Sequence, residues 1–179
     1  MAAGCFNKYH IAILRDAIDI AEDMTSNYFR LSLEQWKRHP FDVKILSSIV
    51  DVEIKNNAFA ILKKYMQEND GTKELRQKGR EYFIIYLQDK QILKAIGRDK
   101  NLKLLPLLSY IIIHELVHIV RFCNFQVRFD LQGEKSIAEE EKIVHHTTRE
   151  ILKGLPLPNL PYILGSYSPE KINMDACFI

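Results

Sequence analysis

The segment Pro106–Asn124, PLLSYIIIHELVHIVRFCN, constrains this chain more than any other. Proline fits the opening turn of a helix, and the residues that follow are apolar nearly all round. A helix of that kind must be enclosed on every side, so the rest of the chain has to wrap it. The chain is long enough for this: its 179 residues, 47% hydrophobic and 27% charged, have the balance of one globular domain. With only 7 Gly and 6 Pro, a turn-rich sandwich of short strands is not expected. The longest apolar stretches, of about ten residues, fall short of the roughly 20 that span a bilayer, so no membrane association is expected.

Around this core helix the expected organisation is a single α+β domain over 1–179, predominantly helical, with one small sheet. Ile13, Leu14, Ala17, Ile18, Ala21, Met24 and Tyr28 recur at three and four, which predicts an amphipathic helix from Tyr9 to Tyr28. Leu46, Ile49, Val50, Ala58, Ile61, Leu62 and Tyr65 read as a second helical stripe from Val43 to Met66, with a turn at Asn69-Asp70-Gly71. Tyr82–Leu87, YFIIYL, is the strand candidate, apolar on both faces as a covered strand would be. Gln91 to Ile96 reads as a turn or two of helix ending at Gly97. A capping box, Ser136 with Glu139, predicts a helix running to Lys153, closed by Gly154. The prolines at 156, 158, 161 and 169 predict an irregular tail from about 154.

His114-Glu115-Leu116-Val117-His118 is an HExxH motif within the apolar helix. Residues four apart lie one turn apart on one face, so both imidazoles can reach one zinc ion at 2.0–2.1 Å. Glu115, about 100° further round, flanks the ion and can take and return the proton of a polarised water. Two histidines and a carboxylate among Tyr110, Ile111, Ile112, Ile113, Ile119 and Val120 are costly to bury unless they bind something.

A catalytic zinc has three protein ligands and an open position. The helix after Ser136 supplies candidates for the third. Ile137, Val144, Thr148, Ile151 and Leu152 define its inward stripe, with Glu141 at the centre and His145 near the edge. Glu141 is the expected third ligand. His145 is the alternative, or a group that orients Glu141 or a substrate oxygen. Glu140 is placed on the opposite flank, His146 facing away, and Cys123 off the ligand face. Stabilisation of an oxyanion could come from His145, Arg149 or Tyr167. Glu115-x-x-His118 also has the ExxH spacing of di-iron bundles, but Glu141 and His145 stand four apart and miss the second ExxH by a residue.

From His114 to about Leu152 the arrangement resembles the gluzincin branch of the zincin metallopeptidases, where an HExxH helix and a second helix carrying Glu build the site. The resemblance implies a zincin-like fold, one Zn2+ per chain, Glu115 and His145 in catalysis, His114, His118 and Glu141 as metal ligands, and a peptide or protein substrate. At His145 many members have an acidic residue. The metzincin extension is absent, since Arg121 and Asn124 stand where its Gly and third His would be. The rival expectation is a metal-binding regulatory or interaction module without catalysis.

Other features restrict the partners. The 25 basic and 23 acidic residues nearly balance at +2. The Lys and Arg cluster from Lys63 to Arg80 lacks the interleaved aromatics that stack on bases, so no nucleic acid is expected. Cys5, Cys123 and Cys177 are far apart and odd in number, which favours a reducing compartment. The N-terminal stretch MAAGCFNKYHIAILRDAIDIAED lacks the pattern of a signal peptide. Together these predict a cytoplasmic protein.

Overall fold

The computed structural model describes residues 4–38, 40–46, 58–67, 80–124, 128–130 and 133–167. Among them are six helices and three strands, in the order α1 (Lys8–Phe29), α2 (Leu33–Lys37), β1 (Phe41–Ile45), β2 (Ala60–Gln67), β3 (Arg80–Leu87), α3 (Asp89–Arg98), α4 (Leu104–Cys123), α5 (Glu134–Leu152) and α6 (Leu160–Ser166). This is a predominantly helical α+β fold with a small mixed sheet.

Helix α4 is the centre, as its apolar circumference requires. Every residue from Pro106 to Val120 is buried. Pro106 is the third helical residue rather than the first, still within the turn whose N–H groups have no intrahelical acceptor. By length and composition α4 could cross a bilayer, which the length of its apolar stretch underestimated, but most of it is buried inside the protein. Helix α1 covers one side of α4. Its inward residues Leu14, Ala17, Ala21 and Thr25 follow the helical repeat, and the two alanines let the axes approach closely. Asn7 opens α1: its side chain accepts the His10 N–H at 3.0 Å while His10 Nδ1 accepts the Asn7 N–H at 3.2 Å.

The sheet has the order β1-β3-β2, with β1 parallel and β2 antiparallel to β3. The expected strand at Tyr82–Leu87 lies within the middle strand, covered on both faces. Phe83, Ile85 and Leu87 join the main core with α4, while Ile84 and Tyr86 form a second cluster with Leu46 and Ile61. The helix expected over Val43 to Met66 is not formed where residues are described: 41–45 and 60–67 are strands. Phe41, Val43 and Ile45 are half-buried and alternate with exposed Asp42 and Lys44, a period of two. For β2, Ala60 and Leu62 face the main core and Ile61 the other cluster. Pairing with the distant β3 decides both segments, and apolar spacing within a short window does not report it. The turn expected at Asn69-Asp70-Gly71 lies outside the described residues.

Three boundaries differ from expectation. Helix α3 is longer than a turn or two and includes Gly97. Helix α5 begins at Glu134 after Gly133, whose φ of 93° suits glycine, so Ser136 lies inside the first turn and caps nothing. Gly154, with φ 89°, follows the end of α5 as expected. The tail is not wholly irregular: α6 carries Pro161 in its first turn and buries Leu160 and Ile163, packing on α4. Helix α2 was missed, although Ser32 and Gln35 form a capping box.

The close α1–α4 seam yields a test. Ala17 is fully buried in it. Ala17→Leu should lower stability by about 1–3 kcal/mol through overpacking, read as a reduced urea midpoint with an unchanged slope.

Candidate metal centre

Helices α4 and α5 pack face to face and position the site. On α4, residues four apart stand above one another, so Tyr110, His114, His118 and Phe122 form a single ridge. Their rings lean on one another: Tyr110 against His114 at 6.3 Å between centroids, His114 edge-on to His118 at 4.8 Å, and His118 stacked on Phe122 at 5.8 Å. On α5, Glu141 and His145 occupy the inward face with Val144 and Thr148.

Three side chains meet closely. His114 Nε2 lies 3.2 Å from His118 Nε2. Glu141 spans the pair, with Oε2 at 3.3 Å from His114 Nε2 and Oε1 at 3.3 Å from His118 Nε2. Donors at 2.0–2.1 Å around a tetrahedral zinc ion are separated by about 3.3–3.4 Å. Each separation is thus close to that between neighbouring donors around such an ion, and the residue types are ones that could hold a metal. His145 Nε2 lies 3.6 Å from Glu141 Oε2, and His114, Glu141 and His145 each offer a ligand atom within 4.8 Å of the others. His114 Nδ1 and Glu141 Oε1 are buried without a hydrogen-bond partner, which the site must offset by other means.

Charge is distributed unevenly. Burial pushes the Glu115 carboxyl up to about 7; proximity to His114 pulls it down and Glu141 pushes it further up. Burial also acts to raise Glu141, but its contacts with His114 and His118 outweigh this and hold the carboxyl far below the usual range. His145 is driven down to about 3, chiefly by burial and then by the neighbouring His114, so the ring is neutral. One carboxylate is thus fixed as an anion among imidazoles, while a second, beside it, titrates near neutrality.

The remaining expected residues are placed as follows. His146 and Arg149 are exposed on α5 and do not join the group. The Tyr167 ring packs on Phe59 and Tyr110, and this residue reaches the site through its backbone carbonyl, which accepts from the Tyr110 hydroxyl at 2.9 Å. Cys123 is partly buried and its thiol is pushed up to about 12, mainly by burial. Glu140 corrects the expectation of an outer flank. It is 4% exposed and takes a bidentate pair from Arg121, Nε to Oε1 at 2.6 Å and Nη2 to Oε2 at 2.7 Å. Its Oε1 also stands 3.9 Å from His118 Nδ1, behind the ridge of rings on α4. The signal for this pair was present, because Arg121 is the lone Lys or Arg in α4 and requires a partner near the end of a buried helix. Tyr110 was missed as well, although it stands one turn before His114 on the same face.

Against known proteins, the chain matches no family model, no curated protein and no solved structure.

The Arg121–Glu140 clamp closes the α4–α5 pair beside the site. Glu140→Ala should destabilise the fold by about 3 kcal/mol, because it leaves the guanidinium partly buried without its partner. Chemical denaturation monitored by circular dichroism measures this, and Arg121→Met with Glu140→Leu should recover most of the loss.

Proposed function

We propose that this protein is a metal-dependent hydrolase of peptide bonds, with one zinc ion held by His114, His118 and Glu141. The supporting observation is the meeting of two imidazole Nε2 atoms, 3.2 Å apart, with the Glu141 carboxylate, which sets one oxygen 3.3 Å from each, in the protein interior beside a buried carboxyl that titrates near neutrality. Zinc, when bound in such a site, supplies Lewis acidity towards a carbonyl oxygen and acidifies water.

The chain's residues then divide the work. His114 and His118 bind through Nε2, with the Tyr110 and Phe122 rings fixing their planes. Glu141 contributes the negative charge that offsets the ion. Glu115 takes a proton from the attacking water and passes it to the departing amine; a carboxyl near 7 suits both directions of transfer. The enclosing aliphatic residues of α4 keep the dielectric low, which strengthens each of these interactions. The substrate class is a peptide or protein, and the compartment that fits the sequence is the cytoplasm.

A second reading is a metal-binding module without catalysis. It is favoured by the presence of His145 beside Glu141, a fourth donor that could close the coordination sphere.

Metal content by native mass spectrometry tests the shared premise. About one zinc per chain is expected in the wild type and none in His114→Ala; equal occupancy in both would end the metal reading. Glu115→Gln separates the two proposals. It should retain zinc and cleave a mixed peptide library about 10²–10⁴-fold more slowly than the wild type, with fragments counted by mass spectrometry. A zinc-loaded wild type that cleaves nothing would favour the module, and a variant that cleaves as fast as an active wild type would remove Glu115 from the role of general base.

A further inference from the structure

The Tyr110 hydroxyl meets two partners at once. Its oxygen lies 2.9 Å from the backbone carbonyl of Tyr167 and 2.5 Å from His145 Nδ1. A phenol has one proton to give, and a carbonyl oxygen can only accept. The proton therefore points to Tyr167, and the Tyr110 oxygen must accept from His145. In its neutral form, the one that can bind a metal, His145 then carries its proton on Nδ1 and presents Nε2 as a bare lone pair. The stacked Tyr110 and His145 rings, 22° apart in plane, hold that orientation.

Nε2 faces Glu141 Oε2 at 3.6 Å, and both atoms are acceptors. No proton can lie between them in this tautomer. Two electron-rich atoms buried side by side repel unless a cation joins them. A neutral imidazole with its other nitrogen tied to an oxygen is also the usual form of a metal-ligating histidine.

We infer that Tyr110 is a positioning residue, which fixes the Nδ1–H tautomer of His145 and so makes His145 Nε2 a fourth donor to the metal held by His114, His118 and Glu141. The inference rests on the metal site proposed above. It removes His145 from the candidates for donating a hydrogen bond to an oxyanion. It also assigns a purpose to α6, which ends at the carbonyl that orients Tyr110. Four protein donors would leave hydrolysis possible only where the ion also admits water, as some catalytic zinc sites do by adding a ligand.

The experiment is imidazole nitrogen NMR on the full-length 15N-labelled chain, first without metal and then with one equivalent of zinc. His145 should show a protonated Nδ1 and a bare Nε2 without metal, and zinc should shift its Nε2 resonance together with those of His114 and His118. Tyr110→Phe should give mixed His145 tautomers and bind zinc at least about tenfold more weakly, still at one per chain. A bare Nδ1 in the wild type, or an unchanged tautomer in Tyr110→Phe, would overturn the positioning assignment. Zinc shifts at His114 and His118 without one at His145 would overturn the fourth donor and leave the metal site standing. No shift at any of the three would remove both. Should Tyr110→Phe fail to fold, the wild-type spectra decide alone.

Discussion

Enclosing α4 on all sides is the constraint from which the rest of the structure follows. Its aliphatic residues drive burial, at about 25 cal/mol for each Å² of apolar surface removed from water. The same enclosure carries His114, Glu115 and His118 into the interior, where an unsatisfied polar group costs about 1–3 kcal/mol and a lone charge considerably more. A helix that is hydrophobic enough to organise the core thus also requires the core to answer three polar side chains. Helix α5 answers the two imidazoles, with Glu141 and His145 set among Val144, Thr148 and Leu152.

The two helices are complementary in charge as well as shape. Helix α4 brings imidazoles at 114 and 118 and a guanidinium at 121; α5 brings carboxylates at 141 and 140. Glu141 is shared by two imidazoles, while Glu140 is taken by Arg121 and stands behind His118. Adjacent glutamates therefore do different things: one is bound by a fixed cation and braces the helix pair, and the other is met by imidazoles, whose charge is not fixed. That difference makes Glu141, rather than Glu140, the carboxylate that a metal ion would satisfy.

Much of this was legible in the sequence wherever the signal lay within one helix. The apolar circumference of α4, the spacing of His114 and His118, and the central place of Glu141 on the inward stripe are all local patterns of period 3.6, and helices preserve them. The strands β1 and β2 were not legible, because their identity depends on pairing with β3 across segments far apart in the chain. Ile61, Leu62 and Tyr65 satisfy helical spacing and strand alternation equally, and burial of Ala60 and Leu62 on one face settles the choice only once β3 is in place. The Glu140 clamp and the Tyr110–Tyr167 link were missed for a related reason. Each joins different elements, and neither has a motif to announce it.

The site's supports also follow an order in the chain. The ligand ridge lies on the most enclosed helix, and its partners on the helix packed directly against it, so the donors sit on rigid elements rather than loops. The last part comes from outside that pair: the backbone of Tyr167, beyond α6, accepts from Tyr110, which in turn accepts from His145. A backbone carbonyl cannot change its hydrogen-bonding sense, whereas a hydroxyl and an imidazole can each present a donor or an acceptor. Ending the chain of hydrogen bonds on a carbonyl removes that freedom from both side chains, and the tautomer of a buried histidine is then set by a backbone group more than twenty residues further along the sequence.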